Sequence, residues 1–238
     1  MGLGNGDGRG AHIVWDWNGT LLHDIHAVIA ATNATFEALG MERISLERYR
    51  ELYCVPVPRF YERLMGRLPT EEEWKVMDET FHREYETRLT GVGLAEGAAE
   101  LLGRRSAAGS TQSLCSLAPH TQLLTLVRSM DVERHFLRVD GADGPLRPDA
   151  QGPGKSPQMA AHLRELAAVG GVRPDRTVVI GDALDDALAA RGAGAGAVLY
   201  TGGSHSRGSL EEAGVPVVDS LEEAVEEAER IAAAATGR

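Results

Sequence analysis

The chain has 238 residues, of which 43% are hydrophobic and 25% are charged, a composition typical of a globular domain with its own core. Its net charge of −11 opposes binding to nucleic acid or to an anionic membrane unless a local basic patch is present. The two cysteines, Cys54 and Cys115, are too few and too far apart for a disulfide framework or a zinc knuckle. We therefore expect a small-molecule partner, and the oligomeric state stays open.

The first ten residues are glycine-rich and polar. They carry no apolar run of the kind found in a signal peptide, and no stretch of 18 apolar residues follows anywhere in the chain. With two cysteines that are expected to stay reduced, this predicts a flexible tail over residues 1–10 and a cytoplasmic protein.

The first predicted element is a buried strand over 12–17, which ends in the turn Asn18-Gly19-Thr20. From residue 25 to residue 89 the apolar and aromatic residues recur at helical spacing, with no strand pattern. Thr70 and the three glutamates that follow it predict a helix start. The block is therefore predicted to be an all-helical insertion after the first strand.

Beyond residue 91, helices alternate with short apolar strands. Strands are predicted over 111–115, 136–139, 177–180 and 197–200 and around 215–218, and helices over 96–106, 119–130, 156–169, 183–191 and 221–234. Strands that alternate with amphipathic helices indicate βαβ units. We predict the α/β class, with a Rossmann-like, mostly parallel sheet built from residues 11–24 and 91–238 and the helical insertion over 25–90.

Acidic and hydroxyl residues stand where three of these strands end. Asp16 follows the first strand, Ser116 follows Leu114-Cys115, and Asp182 and Asp186 follow residues 177–180. The carboxyl ends of parallel strands open into one crevice, so these groups should converge. Clustered carboxylates repel one another, and a hard divalent cation with oxygen ligands would relieve that repulsion.

Lys155 begins a predicted helix and is one of only two lysines, so it could bring a second positive charge to the crevice. A carboxylate nucleophile, Mg²⁺, a lysine and a hydroxyl together form a site for phosphoryl transfer through an aspartyl phosphate.

These residues resemble the four motifs of the haloacid dehalogenase superfamily of phosphohydrolases, in their usual order. The matching positions are Asp16-Trp17-Asn18-Gly19-Thr20, then Ser116, then Lys155, then Gly181-Asp182 with Asp186. The resemblance covers residues 11–218, and its layout is that of the phosphoglycolate-phosphatase-like members. It implies that the helical insertion is the family's cap domain.

The resemblance also implies roles for individual residues. Asp16 would attack phosphorus, while Ser116 and Lys155 would hold phosphate oxygens. Gly19 and Thr20 would contact the substrate. The resemblance does not assign cap contacts, and Arg59, Arg63 and His26 are candidates for contacts to an anionic substrate. The cofactor would be Mg²⁺, held by the Asp16 carboxylate, the Asn18 backbone carbonyl, Asp182 and Asp186.

Asn18 departs from the family pattern, because phosphatases of the family usually carry at this position the aspartate that protonates the leaving group. An amide has no proton to give in the useful range, and general acid catalysis is typically worth about 10²–10⁴-fold in rate. Three hypotheses stay open. The enzyme could act on acyl phosphates, a cap residue such as His23, His26 or Arg59 could supply the acid, or the protein could be a slow, regulatory phosphate- and Mg²⁺-binding protein.

Other functions fit less well. A phosphonate-cleaving enzyme of the family would need a cap lysine about 40 residues after the nucleophile, where Val57 stands. The acid-rich loop at Asp182 argues against the metal-free dehalogenase branch. A P-loop ending at Lys155 would need a glycine where Asp149 stands.

Overall fold

The computed structural model of the protein describes residues 10–54, 57–142 and 154–236. Residues 1–9, which make up most of the predicted tail, lie outside these ranges. The described residues form a parallel sheet of six strands in the order β3-β2-β1-β4-β5-β6. The strands are β1 His12–Trp15, β2 Gln112–Pro119, β3 Val139–Ala142, β4 Thr177–Gly181, β5 Gly196–Tyr200 and β6 Val217–Val218. The predicted α/β class and parallel sheet are confirmed.

In chain order, the described residues between β1 and β2 include four helices that precede residue 98. They are α1 Ile25–Ala38, α2 Leu46–Leu52, α3 Val57–Met65 and α4 Glu71–Leu89. The predicted start of α4 is confirmed, because the Thr70 hydroxyl accepts from the Glu73 amide and the Glu73 carboxylate accepts from the Thr70 amide. The helices bury an apolar cluster of their own, built around Phe36, Tyr49 and Phe60. The division into domains at residues 24 and 91 stays a prediction.

Within the described ranges, six α-helices surround the sheet: α5 Ala98–Ala107, α6 His120–Ser129, α7 Ser156–Gly170, α8 Leu184–Gly192, α9 Arg207–Glu211 and α10 Leu221–Thr236. Alternate residues of β1 face opposite sides of the sheet. Ile13 and Trp15 pack in one apolar cluster with residues of α5, α6 and α10, and Val14 packs in another with residues of α7 and α8. Burial on both faces explains the unbroken apolar sequence of β1.

The third strand lies three residues later than its predicted position. The chain joins β2 at Leu137, whose amide donates to the Gln112 carbonyl, but the regular strand runs over Val139–Ala142. A β-carbon on Gly141 would lie 2.5 Å from the Cα of His120, so this edge strand passes very close to the start of α6. This close approach requires the glycine at position 141. The sequence of β3 therefore shows little of the apolar pattern that predicts a strand.

No helix in the described ranges is both long and apolar enough to cross a membrane. Both cysteines are free thiols, with Cys115 buried and Cys54 half-buried.

Candidate active site

The strand register brings the predicted site residues to one edge of the sheet. Trp15 of β1 pairs with Leu114 of β2 on one side and with Ile180 of β4 on the other. Asp16, Ser116 and Asp182 follow these three paired positions within two residues. All three are buried and line the same cavity.

Lys155 is the buried cation of this site. Its Nζ donates to Asp16 Oδ1 at 2.5 Å and to Asp186 Oδ1 at 2.6 Å. Lys155 stands at the N-cap of α7, and its backbone amide donates to Asp185 Oδ2 at 2.7 Å. Two neighbouring acids at the start of α8 thus fix the lysine, one through its backbone and one through its side chain.

Asp16, Asp182 and Asp186 form a cluster that can hold a cation. One carboxylate oxygen from each residue lies within 4.8 Å of the others. Three buried carboxylates face a single lysine charge, so with all three ionised the cluster lacks two positive charges, which is the charge of one divalent cation. Oxygen ligands in this number suit Mg²⁺, and the donor set therefore fits the metal that the sequence predicts.

Two glycines make room for the Asp182 carboxylate. Gly19 has a φ of +73°, and a β-carbon there would lie 2.6 Å from Asp182 Oδ2. A β-carbon on Gly203 would lie 2.0 Å from the same atom. The Asp182 carboxylate also accepts from the Ser204 amide at 2.6 Å. The backbone at Gly19, Gly203 and Ser204 therefore sets the position of this carboxylate.

The electrostatics of the cluster follow from burial and proximity. Burial raises the pKa of Asp16 to about 7, although the charge of Lys155 acts in the opposite direction. Burial, and then the Asp16 charge, raises the pKa of Asp182. Burial alone would lower the pKa of Lys155, but the carboxylates of Asp16 and Asp186 outweigh it and raise that pKa. The lysine is therefore charged at any physiological pH.

The start of α8 separates the roles of Asp182 and Asp186. The N-cap of the helix is Ala183, and the Asp186 carboxylate accepts from the Ala183 amide at 3.1 Å. Asp182 thus lies one residue ahead of the cap, beside the Gly19 loop.

The turn after β1 is held by Asp24, a residue that the sequence did not single out. Its Oδ1 accepts from the Gly19 amide, and its Oδ2 accepts from the Asn18 side-chain amide, both at 2.8 Å. Thr20, also buried, places its hydroxyl 3.4 Å from Asp16 Oδ2. Burial raises the pKa of Asp24. The only sequence signal for it was an acid directly before the first cap helix.

Tyr85 of α4 joins the cap to this turn. Its hydroxyl donates to Asp24 Oδ2 at 2.5 Å and accepts from the Asn18 amide at 2.8 Å. Asn18, Asp24 and Tyr85 therefore form one hydrogen-bonded unit, called here the hinge triangle. The Asn18 side chain stands where the family usually has the acid. Its amide nitrogen donates to both Asp24 and Tyr85, and so it helps to hold the turn in place.

A cavity of about 640 Å³ lies between the cap helices and the sheet edge. Asp16, Asn18, Ser116, Lys155, Asp182 and Asp186 all line it. Arg59 is not among the described residues that do so, because it is exposed and pairs with Glu62 at 2.5 Å. His23 and His26, the other suggested acids, are exposed and are also absent from the described lining. The structure brings Asp24 and Tyr85 to the position next to Asn18 instead.

Comparison with known proteins agrees with this arrangement. A family model described as HAD-hydrolase-like matches residues 154–224. Phosphoglycolate phosphatase of Pseudomonas fluorescens is 27% identical over 217 residues, which cover 88% of this chain and 76% of that protein. The enzyme of the same name from Rhodobacter capsulatus is 24% identical over 195 residues, or 80% and 84% of the two chains.

A solved structure shares the fold over nearly the whole length. The putative phosphoglycolate phosphatase from Lactobacillus delbrueckii subsp. bulgaricus superposes with a TM-score of 0.74 at 21% identity, covering 92% of this chain and 98% of that one. The resemblance to the haloacid dehalogenase-like hydrolases that the sequence motifs predict is confirmed by these matches. The predicted enzyme class, a phosphoric monoester hydrolase, is confirmed.

Proposed function

We propose that the protein is a Mg²⁺-dependent phosphatase that hydrolyses a small phosphorylated metabolite through an aspartyl phosphate on Asp16. One observation carries the proposal: a buried lysine holds the Asp16 carboxylate at the end of β1, next to two further carboxylates, at the floor of a cavity. The names of the curated relatives, which are phosphoglycolate phosphatases, support the same reaction class.

The chemistry divides into two displacements. A carboxylate oxygen of Asp16 forms a bond to phosphorus as the bond to the ester oxygen breaks. The leaving oxygen keeps the bonding electron pair and takes a proton from water, because the Asn18 amide has none to give. Water then attacks phosphorus, which regenerates the Asp16 carboxylate and releases inorganic phosphate. Mg²⁺ held by Asp16, the Asn18 carbonyl, Asp182 and Asp186 would supply positive charge to the phosphoryl oxygens.

The remaining residues bind and orient. The Lys155 ammonium favours the ionised form of Asp16, against the burial that raises its pKa, and lies where it can pair with a phosphate oxygen. The Ser116 hydroxyl, buried at the end of the β2 ladder and accepting from the Ala118 amide at 3.1 Å, keeps its own proton for a second phosphate oxygen. Gly19 and Thr20 shape the turn beneath the substrate.

The proposal is tested by phosphate release from p-nitrophenyl phosphate, with Mg²⁺ or with excess chelator. We expect release that depends on Mg²⁺ and returns when the metal is restored. Equal release with chelator would contradict metal-assisted transfer. Tight binding of phosphate and Mg²⁺ with no release from any ester would favour the alternative, a regulatory binding protein on the same scaffold.

Replacing Asn18 by aspartate separates the acid step from the rest of the reaction. The new carboxyl would lie beside Asp24, since the amide it replaces is 2.8 Å from Asp24 Oδ2, and repulsion between the two favours a shared proton near neutral pH. We expect kcat on an alkyl phosphate to rise at least about tenfold, and to change little on p-nitrophenyl phosphate, whose leaving group needs no proton.

Steady-state rates on the two esters, measured with the same enzyme preparations, check this expectation. An unchanged rate on the alkyl ester would show that Asn18 does not limit proton transfer. In that case the hinge triangle already supplies the proton, or another step is slower.

A further inference from the structure

We infer that the cleft selects phosphate monoesters with a bulky, aromatic leaving group that carries no negative charge, and that it disfavours a small carboxylate-bearing ester such as phosphoglycolate. The inference rests on the proposed function and concerns only the part of the substrate beyond the phosphate. It separates this protein from the activity for which its relatives are named.

The charges around the cavity disfavour a second anionic group. Lys155 is the one lysine or arginine among the described lining residues, and both of its side-chain hydrogen bonds go to Asp16 and Asp186. Recognition of a carboxylate ordinarily uses a guanidinium or ammonium group that is free to pair with it. The described lining offers the leaving group no such partner.

The cap adds negative charge to the same space. Asp78 and Glu86, both on α4, line the cavity. His82 also lines it, but its Nε2 lies 3.2 Å from Asp78 Oδ1 and is directed to that acid. A substrate carboxylate at this end of the cavity would lie near the acids Asp78 and Glu86, and like charges at short range cost binding energy.

The cap wall of the cavity is aromatic. Phe81 and Tyr85 stack on α4 with ring centroids 5.7 Å apart and planes within 9°. Tyr49 and Tyr53 stack at 5.1 Å, and all four rings line the cavity. Tyr85 cannot turn away freely, because its hydroxyl is bonded to Asp24. Fixed rings of this kind bind an aromatic group by apolar burial and ring packing.

The volume of the cavity also fits a bulky aromatic leaving group. A cavity of about 640 Å³ lies in the range of roughly 300–1,000 Å³ in which sites for drug-sized ligands fall. A two-carbon ester would leave most of the aromatic wall in contact with water. A phenyl-bearing ester would cover it.

Three esters separate the effects of charge and size: phosphoglycolate, 2-hydroxyethyl phosphate and 2-phenylethyl phosphate. The first two differ in the carboxylate and the last two in the ring. We expect kcat/KM to be lowest for phosphoglycolate and highest for 2-phenylethyl phosphate, with a step of roughly tenfold or more for each change. A kcat/KM for phosphoglycolate equal to or above that for 2-phenylethyl phosphate would overturn the inference.

Two variants locate the effects on α4. Phe81→Ala should reduce kcat/KM for 2-phenylethyl phosphate about tenfold relative to kcat/KM for 2-hydroxyethyl phosphate, so the ratio between the two esters is the measured quantity. Glu86→Lys should raise kcat/KM for phosphoglycolate, whereas Glu79→Lys, the same charge change on the same helix outside the described cavity lining, should not. Equal effects of the two lysine variants would contradict a local role for charge in the cleft.

A failure of the proposed function can be told apart from a failure of this inference. If neither p-nitrophenyl phosphate nor any of the three esters is hydrolysed with Mg²⁺ present, the phosphatase proposal fails, and titration calorimetry with the three esters tests the preference directly. Tighter binding of 2-phenylethyl phosphate would uphold the inference, and tighter binding of phosphoglycolate would overturn it.

Discussion

Asparagine in place of Asp16 is expected to abolish phosphate release, with a loss of at least about 10⁴-fold in kcat, the order found when an enzyme loses its nucleophile. The amide is a poor nucleophile and cannot form the phosphorylated intermediate. It also removes one of the two carboxylates that hold Lys155 Nζ, at 2.5 Å. The measurement is steady-state phosphate release from an alkyl and an aryl phosphate with Mg²⁺.

The matched control is Asp175→Asn. Asp175 is an exposed acid that pairs with Arg173, and it is not among the described residues lining the cavity. This variant should keep wild-type kcat. Retention of more than a few per cent of the activity in Asp16→Asn on both esters would show that another group attacks phosphorus.

Methionine in place of Lys155 is expected to lower the free energy of unfolding of the metal-free protein by about 3–5 kcal/mol, the cost of breaking a buried ion pair from one side. The Asp16 and Asp186 carboxylates would be left buried without the cation that bonds both of them. Mg²⁺ should restore more stability to this variant than to the wild type, because it would supply the only remaining positive charge. Urea unfolding with and without Mg²⁺ measures both effects.

The chain contains its own control for this experiment, since its only other lysine is Lys75. Lys75 is exposed and lies 3.9 Å from Glu79, a kind of pair worth about 0–1 kcal/mol. Lys75→Met should therefore change stability by less than about 1 kcal/mol. A similar loss of unfolding free energy in both lysine variants would show that the buried ion pairs of Lys155 stabilise the fold no more than an exposed pair does.

The strand ends could be predicted because two local signals coincide there. Each of β1 and β4 is a short apolar run that is buried on both faces, and an acid follows directly at Asp16 and Asp182. Parallel register then brings these acids together, which topology dictates without any knowledge of side-chain packing. Lys155 could be found only by its order among the motifs, since nothing in its own surroundings in sequence predicts that it is buried.

The contacts of the cap could not be predicted in the same way. Tyr85 and Asp24 are 61 residues apart, and helical periodicity alone does not show which face of α4 turns toward the cleft. Arg59 was a reasonable candidate by charge, but α3 presents Pro58 and Phe60 to the cavity and pairs Arg59 with Glu62 on the outside. Such choices depend on how four helices pack, which is a property of the assembled cap.

The hinge triangle links the position of the cap helix α4 to the order of the turn beside the nucleophile. Because Tyr85 belongs to the cap and Asn18 to the turn beside the nucleophile, lifting α4 away from the sheet breaks the bonds from Tyr85 to Asp24 and from Asn18 to Tyr85. An open cap therefore leaves the turn with fewer restraints, and a closed cap restores them. A cap movement of this kind would make entry of substrate and ordering of the residues beside the nucleophile successive stages of one motion.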